Sequence, residues 1–263
     1  MAMGLSGSDV ARQSADLVLL DDHFATIVKA IELGRATFAN VRRFLTYHLT
    51  DNIAELAPFV VWALSGGQIP LAITVLQVLA LDIGTDMLPA LALGAEPPSR
   101  RTLYRSSSVR RVIDRALLLR AFLLLGLTEA VCAMTAFLVT LTESGWTVGG
   151  HPTPTSLAIA SGTAFATIAV AQMANAFACR SETLTPLRIP IGSNPLLLIA
   201  VGVEVALLMA FLTIPPMTMV MGGTWPMATG WLMAAGGGVA VLVVDAIQKR
   251  LRRRAPAVAD TAG

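Results

Sequence analysis

Six stretches of the chain are each long and apolar enough to cross a bilayer, and that feature excludes most folds. They run from Phe44 to Leu64, Leu71 to Leu93, Ala116 to Leu141, Ser156 to Phe177, Pro195 to Ile214 and Met227 to Val244. A transmembrane helix needs roughly 20 mostly apolar residues. In hydrocarbon, only helices and closed barrels satisfy their own backbone groups. Turn formers separate the stretches: Ser65-Gly66-Gly67, Gly149-Gly150-His151-Pro152 and Pro215-Pro216. Charged residues make up 14% of the chain and the mean hydropathy is +0.69, whereas a soluble domain carries about 25% charged residues. The expectation is an all-α membrane protein of six transmembrane helices.

The basic residues give an orientation. All nineteen Lys and Arg fall in alternate segments. These are the N-terminal region, the 94–120 connection (Arg100, Arg101, Arg105, Arg110, Arg111, Arg115, Arg120), the 178–194 connection (Arg180, Arg188) and the tail from Lys249 to Arg254. The positive-inside rule puts both termini in the cytoplasm, and an even number of spans requires them on one side. The basic tail reads as a span flank that also meets anionic lipid, and no nucleic-acid partner is expected. Cys132 and Cys179 form no CxxC pattern and read as packing residues.

The first 43 residues are mixed and polar and do not read as a cleavable signal peptide. Leu17-Val18-Leu19-Leu20 reads as a short buried strand ended by Asp21-Asp22, with Asp22 placed to cap the helix that follows. No proline interrupts Thr26 to Ala57, so a stalk helix is expected to run on into the first span. The resulting organisation is 1–25, a cytosolic piece too short for its own core; 26–43, the stalk; 44–247, the membrane domain; and 248–263, the basic cytosolic tail. Gly4-Leu5-Ser6-Gly7-Ser8 reads as a turn, because it lacks the Lys-Ser/Thr of a phosphate loop.

Six carboxylates sit within the spans: Asp51, Glu55, Asp82, Asp86, Glu129 and Glu204. An Asp at the centre of an inserted helix costs roughly 2.5–3.5 kcal/mol. Arg115 and Arg120 stand only at the end of the third span, so the acids must hold protons or share a cation. Asp51 and Glu55 are four apart, with Asn52 beside them, and so are Asp82 and Asp86, with Thr85 beside them. Gly84, Pro89 and Pro58 weaken the helical ladder and can free carbonyl oxygens. Oxygen-only ligands suit hard cations, Na⁺, K⁺, Ca²⁺ or H⁺. Glu129, Glu204, Gln172 and Asn175 read as further ligands or as interhelical hydrogen-bonding groups.

These residues resemble a known family. Ala2-Met3-Gly4 through Asp9-Val10, then Ala15-Asp16-Leu17-Val18-Leu19-Leu20-Asp21-Asp22, resembles the end of the phosphorylation domain of P-type cation-transporting ATPases. Asn52-Ile53-Ala54-Glu55 resembles the ion-binding motif of their fifth membrane helix, and Leu81-Asp82-Ile83-Gly84-Thr85-Asp86-Met87-Leu88-Pro89 that of the sixth. The resemblance implies membrane helices five to ten, preceded by a remnant of the phosphorylation domain. It implies cation ligands at Asn52, Glu55, Asp82, Thr85 and Asp86, with Glu55, Asp82 and Asp86 holding the metal ion. It adds a possible further cation or proton site from Asp51, Gln172, Asn175, Glu204 and Glu129. Asp51 departs from the Ser of sodium pumps, and Asn175 from their Asp. The phosphorylation motif Asp-Lys-Thr-Gly-Thr does not occur. No catalytic residue and no cofactor bound by this chain is therefore expected, with Mg²⁺ and ATP belonging to a full-length pump. The implied partners are the transported cation, the bilayer and a separate chain carrying the other pump domains; the implied location is a bacterial plasma membrane. The competing readings are a stand-alone six-span channel or carrier and a membrane subunit of a split pump.

Overall fold

The computed structural model describes residues 1–97 and 111–254. Arg100, Arg101, Arg105 and Arg110, and the tail beyond Arg254, lie outside the described residues. The chain opens with β1 (Ala2–Met3), α1 (Asp9–Ser14) and β2 (Val18–Leu19), the two strands pairing in parallel. Helix α2 (Phe24–Leu64) then runs without interruption for 41 residues, so stalk and first span are one rod, as the absence of proline implied. Pro58 is accommodated within it.

Two corrections concern this N-terminal unit. Of the run Leu17–Leu20, only Leu19 is buried, and Leu17 and Leu20 are exposed. Asp22 does not cap α2. It adopts a left-handed conformation (φ 50°) and accepts the amides of Leu5 and Ser6 at 3.0 and 2.7 Å, tying down the 4–7 turn. Asp21 serves the helix start instead, accepting from the His23 amide at 3.1 Å and the Thr26 hydroxyl. Both carboxyls are held below the ordinary carboxylate range: Asp21 first by Thr26, Asp22 first by Ser6 and then by the Leu5 amide.

The next span, Val75–Gly94, consists of α3 (Val75–Leu79), a π-helical segment (Ala80–Asp86) and α4 (Met87–Gly94). A capping box between Thr74 and Gln77 starts it. Span Arg115–Glu143 is built the same way, from α5 (Arg115–Leu118), a second π segment (Leu119–Gly126) and α6 (Leu127–Glu143). Then follow α7 (Pro154–Cys179), α8 (Pro195–Thr213), the short α9 (Pro215–Met221) and α10 (Ala228–Arg254). Proline at the first turn begins α7, α8 and α9, where its missing N–H is no loss.

Among the described residues, five helices are long and apolar enough to cross a membrane. The sixth expected span, the distal half of α2, packs against α4, α6, α7 and the second π segment. It falls short in apolar composition because it carries Asp51, Asn52 and Glu55. Helix α7 is the centre of the bundle, contacting α2, α4, α6, α8 and α10. Its alanines other than Ala158 and Ala174, with Ser161, Gly162 and Thr163, are buried, as close helix approach requires.

Gly126 fixes one contact that matters for the site. A side chain there would meet Ile53 Cβ at 2.8 Å and the Thr50 carbonyl at 3.0 Å. Only glycine lets the second π segment lie directly against the acidic turn of α2.

Charged side chains knit one end of the bundle. Arg180 donates to Glu96 at 2.8 Å and to Ser193, while Asn194 donates to Glu96 Oε2 at 2.7 Å. Asn40 of α2 donates to the carbonyls of Gly94 and Glu96. Arg42 pairs with Asp114 and Glu182, both at 2.9 Å. Asp245 accepts from Arg120 at 2.7 Å and from Lys249. Asp245 thus joins Arg120, 125 residues away in the chain, to Lys249 one turn further on.

Candidate functional site

The site begins with one stripe on α2. Tyr47, Asp51 and Glu55 recur at four-residue spacing and are all buried. The stripe faces α7, which runs antiparallel to it and presents two amides in register. Gln172 Nε2 donates to Glu55 Oε1 and Asn175 Nδ2 to Asp51 Oδ1, each at 2.9 Å. Asn175 in turn accepts from the Cys179 thiol at 3.3 Å. The sequence had left both amides open between ligand and helix–helix adhesive; they bond directly to carboxylates.

The first π segment supplies the second pair. Asp86 and Thr85 are buried, and Asp82 is half-buried. Thr85 donates to the Leu81 carbonyl at 2.8 Å. Asp82 lies against Glu55. Asp86 lies against Asp51 and Tyr47, with His48 Nδ1 at 3.4 Å. Gly84 and Pro89 had suggested an opened ladder. The helix answers with wider π turns just before Pro89, which cannot donate a hydrogen bond.

Two further acids complete the cluster. Glu129 of α6 is fully buried and lies against Asp51. Glu204 of α8 is fully buried, with Tyr47, Asp86 and Glu129 in its electrostatic surroundings.

Hydrogen-bond accounting defines the chemistry. Asp51 Oδ2, Asp86 Oδ1, both oxygens of Glu129, both of Glu204 and Gln172 Oε1 are buried without a donor. The Tyr47 hydroxyl is buried without a partner as well. Around Asp51, Asp86 and Glu129 these acceptors meet one another, and Tyr47 adds a hydroxyl that no acceptor takes. Such an arrangement needs protons or cations. The buried Arg120 and Lys249 turn Nη2 and Nζ to Asp245 and the Ala178 carbonyl instead, and Arg120 Nε is left without an acceptor.

Two of the expected ligand sets are arranged otherwise in the structure. Asn52 faces outward, exposed, and its amide turns back to the His48 carbonyl at 2.7 Å, so it does not join Glu55. Among the described residues, no three His, Cys, Asp or Glu side chains stand close enough together to hold a metal ion. The acids divide instead into Glu55–Asp82 beside Gln172, and Asp51–Asp86–Glu129 beside Asn175.

Tyr47 and His48 were not singled out from the sequence. Tyr47 stands one turn from Asp51 on the same face, so a polar aromatic at i−4 from an intramembrane acid was the available signal.

Fold and site together define a polytopic helical membrane protein with a buried, acceptor-rich polar centre shared by α2, the first π segment, α6, α7 and α8. Residues 70–251 match the family described as cation transporting ATPase, C-terminus. The chain belongs to the P-type cation-transporting ATPase family and is its C-terminal membrane region. Human sodium/potassium-transporting ATPase subunit alpha-4 is 38% identical over 149 residues, which is 56% of this chain and 14% of that protein. The rat alpha-2 subunit shows the same identity and coverage. Human alpha-3 is 36% identical over 152 residues, 57% of this chain and 15% of that protein. The match therefore takes up about a seventh of these relatives' length.

Proposed function

We propose that the chain forms the ion-binding and translocating membrane part of a P-type pump, and that its buried carboxylates hold hard cations. The observation that carries this reading is the set of seven donor-less buried oxygens on Asp51, Asp86, Glu129, Glu204 and Gln172. Glu55 and Asp82 form one lobe of the site, with Thr85 in support. Asp51, Asp86, Asn175, Glu129 and Glu204 form the other, and a captured cation draws the two together by replacing carboxylate repulsion with shared coordination. The relatives are named as sodium/potassium-transporting, which favours monovalent cations here.

Both termini lie in the cytoplasm of a bacterial cell whose plasma membrane hosts the protein. The other pump domains reside in a longer form of the protein or in a separate chain. The 263-residue chain forms no ATP-dependent phosphoenzyme by itself, because Asp-Lys-Thr-Gly-Thr is absent from its sequence.

The test is equilibrium binding of radioactive Na⁺, K⁺ (as Rb⁺) and Ca²⁺ to the chain in nanodiscs. One of them binds saturably, and Glu55→Gln or Asp86→Asn removes that binding. Retention of full binding in both variants refutes the assignment.

A further inference from the structure

The connection 214–227 lies at the bundle end away from Arg42, Arg120 and Arg180, and its Pro215-Pro216 reads from the sequence as a turn. In the structure half of it is the helix α9. It is built unlike a loop that faces water. Ile214 to Met227 holds no charged residue. The connection 143–153 at the same end exposes Glu143, Ser144, Thr147 and His151. On α9 the exposed side chains include Met217, Met219 at 84% and Val220 at 58%. These three stand on different sides of the helix, so no rotation would turn them all onto the bundle.

The polar groups of α9 are satisfied within the segment. Pro215 and Pro216 remove two amides that a helix start leaves free. The Met217 and Thr218 amides bond the Ile214 carbonyl at 2.9 and 3.0 Å, and the Gly222 amide bonds the Thr218 carbonyl at 2.9 Å. The Thr218 hydroxyl donates to the Pro215 carbonyl at 3.0 Å. Water does not demand such accounting, and hydrocarbon does.

The neighbouring helices give the depth. Helix α8 ends at Thr213 after 19 residues, about 28 Å, close to the roughly 30 Å of a hydrocarbon core. Counting about twenty residues back from Lys249 on α10 reaches Gly230, and back from Cys179 on α7 reaches Ala160. The Thr224 amide bonds the Ala158 carbonyl of α7 at 3.0 Å, and Thr74, which caps the start of α3, donates to the Met221 carbonyl at 2.9 Å. All four helices put the segment at the boundary between hydrocarbon and headgroups. Trp225, half-exposed near its end, is the residue type that this boundary favours.

We propose that α9 is an interfacial membrane anchor, with Met217, Met219 and Val220 among the acyl chains and Trp225 at headgroup level. Lipid is the occupant because the apolar surface of α9 continues that of α3, where Val75, Leu76 and Leu79 are exposed on a membrane span. Without Lys or Arg, the anchor takes zwitterionic lipid as readily as anionic. Its C-terminal turn seats on α3 without a side chain between them: a Cβ on Gly223 would stand 2.5 Å from Gln77 Nε2.

Collision-based electron paramagnetic resonance on the full chain in phosphatidylcholine nanodiscs tests it. The nitroxide is attached to Met219→Cys in a Cys132→Ala background, and the Cys132→Ala chain alone gives any labelling of the buried Cys179. The expected result is a severalfold higher collision rate with oxygen than with a water-soluble nickel complex, and the reverse for a label at Ser144→Cys. Nickel access at Met219→Cys equal to that at Ser144→Cys overturns the proposal. So does a label shielded from both probes, which marks a second copy or another protein on α9. Trp225 serves as a second measurement without a label. Its fluorescence, taken as the difference between the unmodified chain and Trp225→Phe, is expected to be quenched by phosphatidylcholine brominated near the headgroup end of its acyl chains and spared by aqueous iodide. The opposite pattern overturns the proposal.

Discussion

Gln172→Leu separates an ion site from a merely polar helix contact. The substitution keeps the volume and removes the 2.9 Å donor that Glu55 receives from α7. A buried hydrogen bond to a charged group contributes about 1.5–3 kcal/mol. At 1.4 kcal/mol per factor of ten, cation affinity falls by roughly 10- to 150-fold if Glu55 must be ionised to bind. Asn175→Leu does the same to Asp51 from one turn away. The two pairs adjoin, so the double variant is expected to depart from additivity by about 0.5–3 kcal/mol. If the amides only hold helices together, each variant loses about 0.6–2 kcal/mol of stability and leaves affinity untouched. The assay is isotope binding in nanodiscs, normalised to folded protein by size-exclusion chromatography. An affinity within twofold of the unmodified chain in both single variants refutes the reasoning.

Other outcomes follow from the packing and the surface charges. Gly126→Ala places a Cβ against Ile53 and the Thr50 carbonyl, and is expected to cost about 1–3 kcal/mol in a denaturing-detergent titration. Arg180→Met strands the buried Glu96 and is expected to cost about 3–5 kcal/mol, most of it recovered in the double variant with Glu96→Met. At the N-terminal unit, folding depresses the carboxyl affinity of Asp22 for its proton. Its contribution to holding Leu5 and Ser6 is therefore complete above the ordinary carboxylate value near 4 and is lost as pH falls below it. Amide protection of Leu5 and Ser6 is expected to show this acid transition, and Asp22→Asn to abolish it.

The spans were legible because a bilayer imposes a length that twenty apolar residues announce, although α10 runs to Arg254, past the expected end at Val244. The continuity of α2 was legible from the missing proline between Thr26 and Ala57. Other features had no such announcement. A π segment differs from an α-helix by one residue per turn in its bonding, and Leu119–Gly126 carries only the glycine at its end as a sign. Which face of α2 is covered depends on neighbours distant in sequence, so Asn52, adjacent to Asp51, could be expected inside and is found outside. The Arg120–Asp245 contact joins helices far apart in the chain and left no local pattern. For the carboxylates, the sequence named the acids and, separately, Gln172 and Asn175, but spacing alone could not say which amide meets which acid.

The 41-residue rod of α2 has a mechanical consequence. At 1.5 Å per residue it is about 60 Å long, and its one interior proline, Pro58, comes after Glu55 rather than before it. Between Asn40, where the connecting segments grip the rod, and Asp51 there is no joint to absorb a twist. A twist applied at Asn40 therefore meets no break in the helix before the acidic turn, and the interior proline lies beyond it.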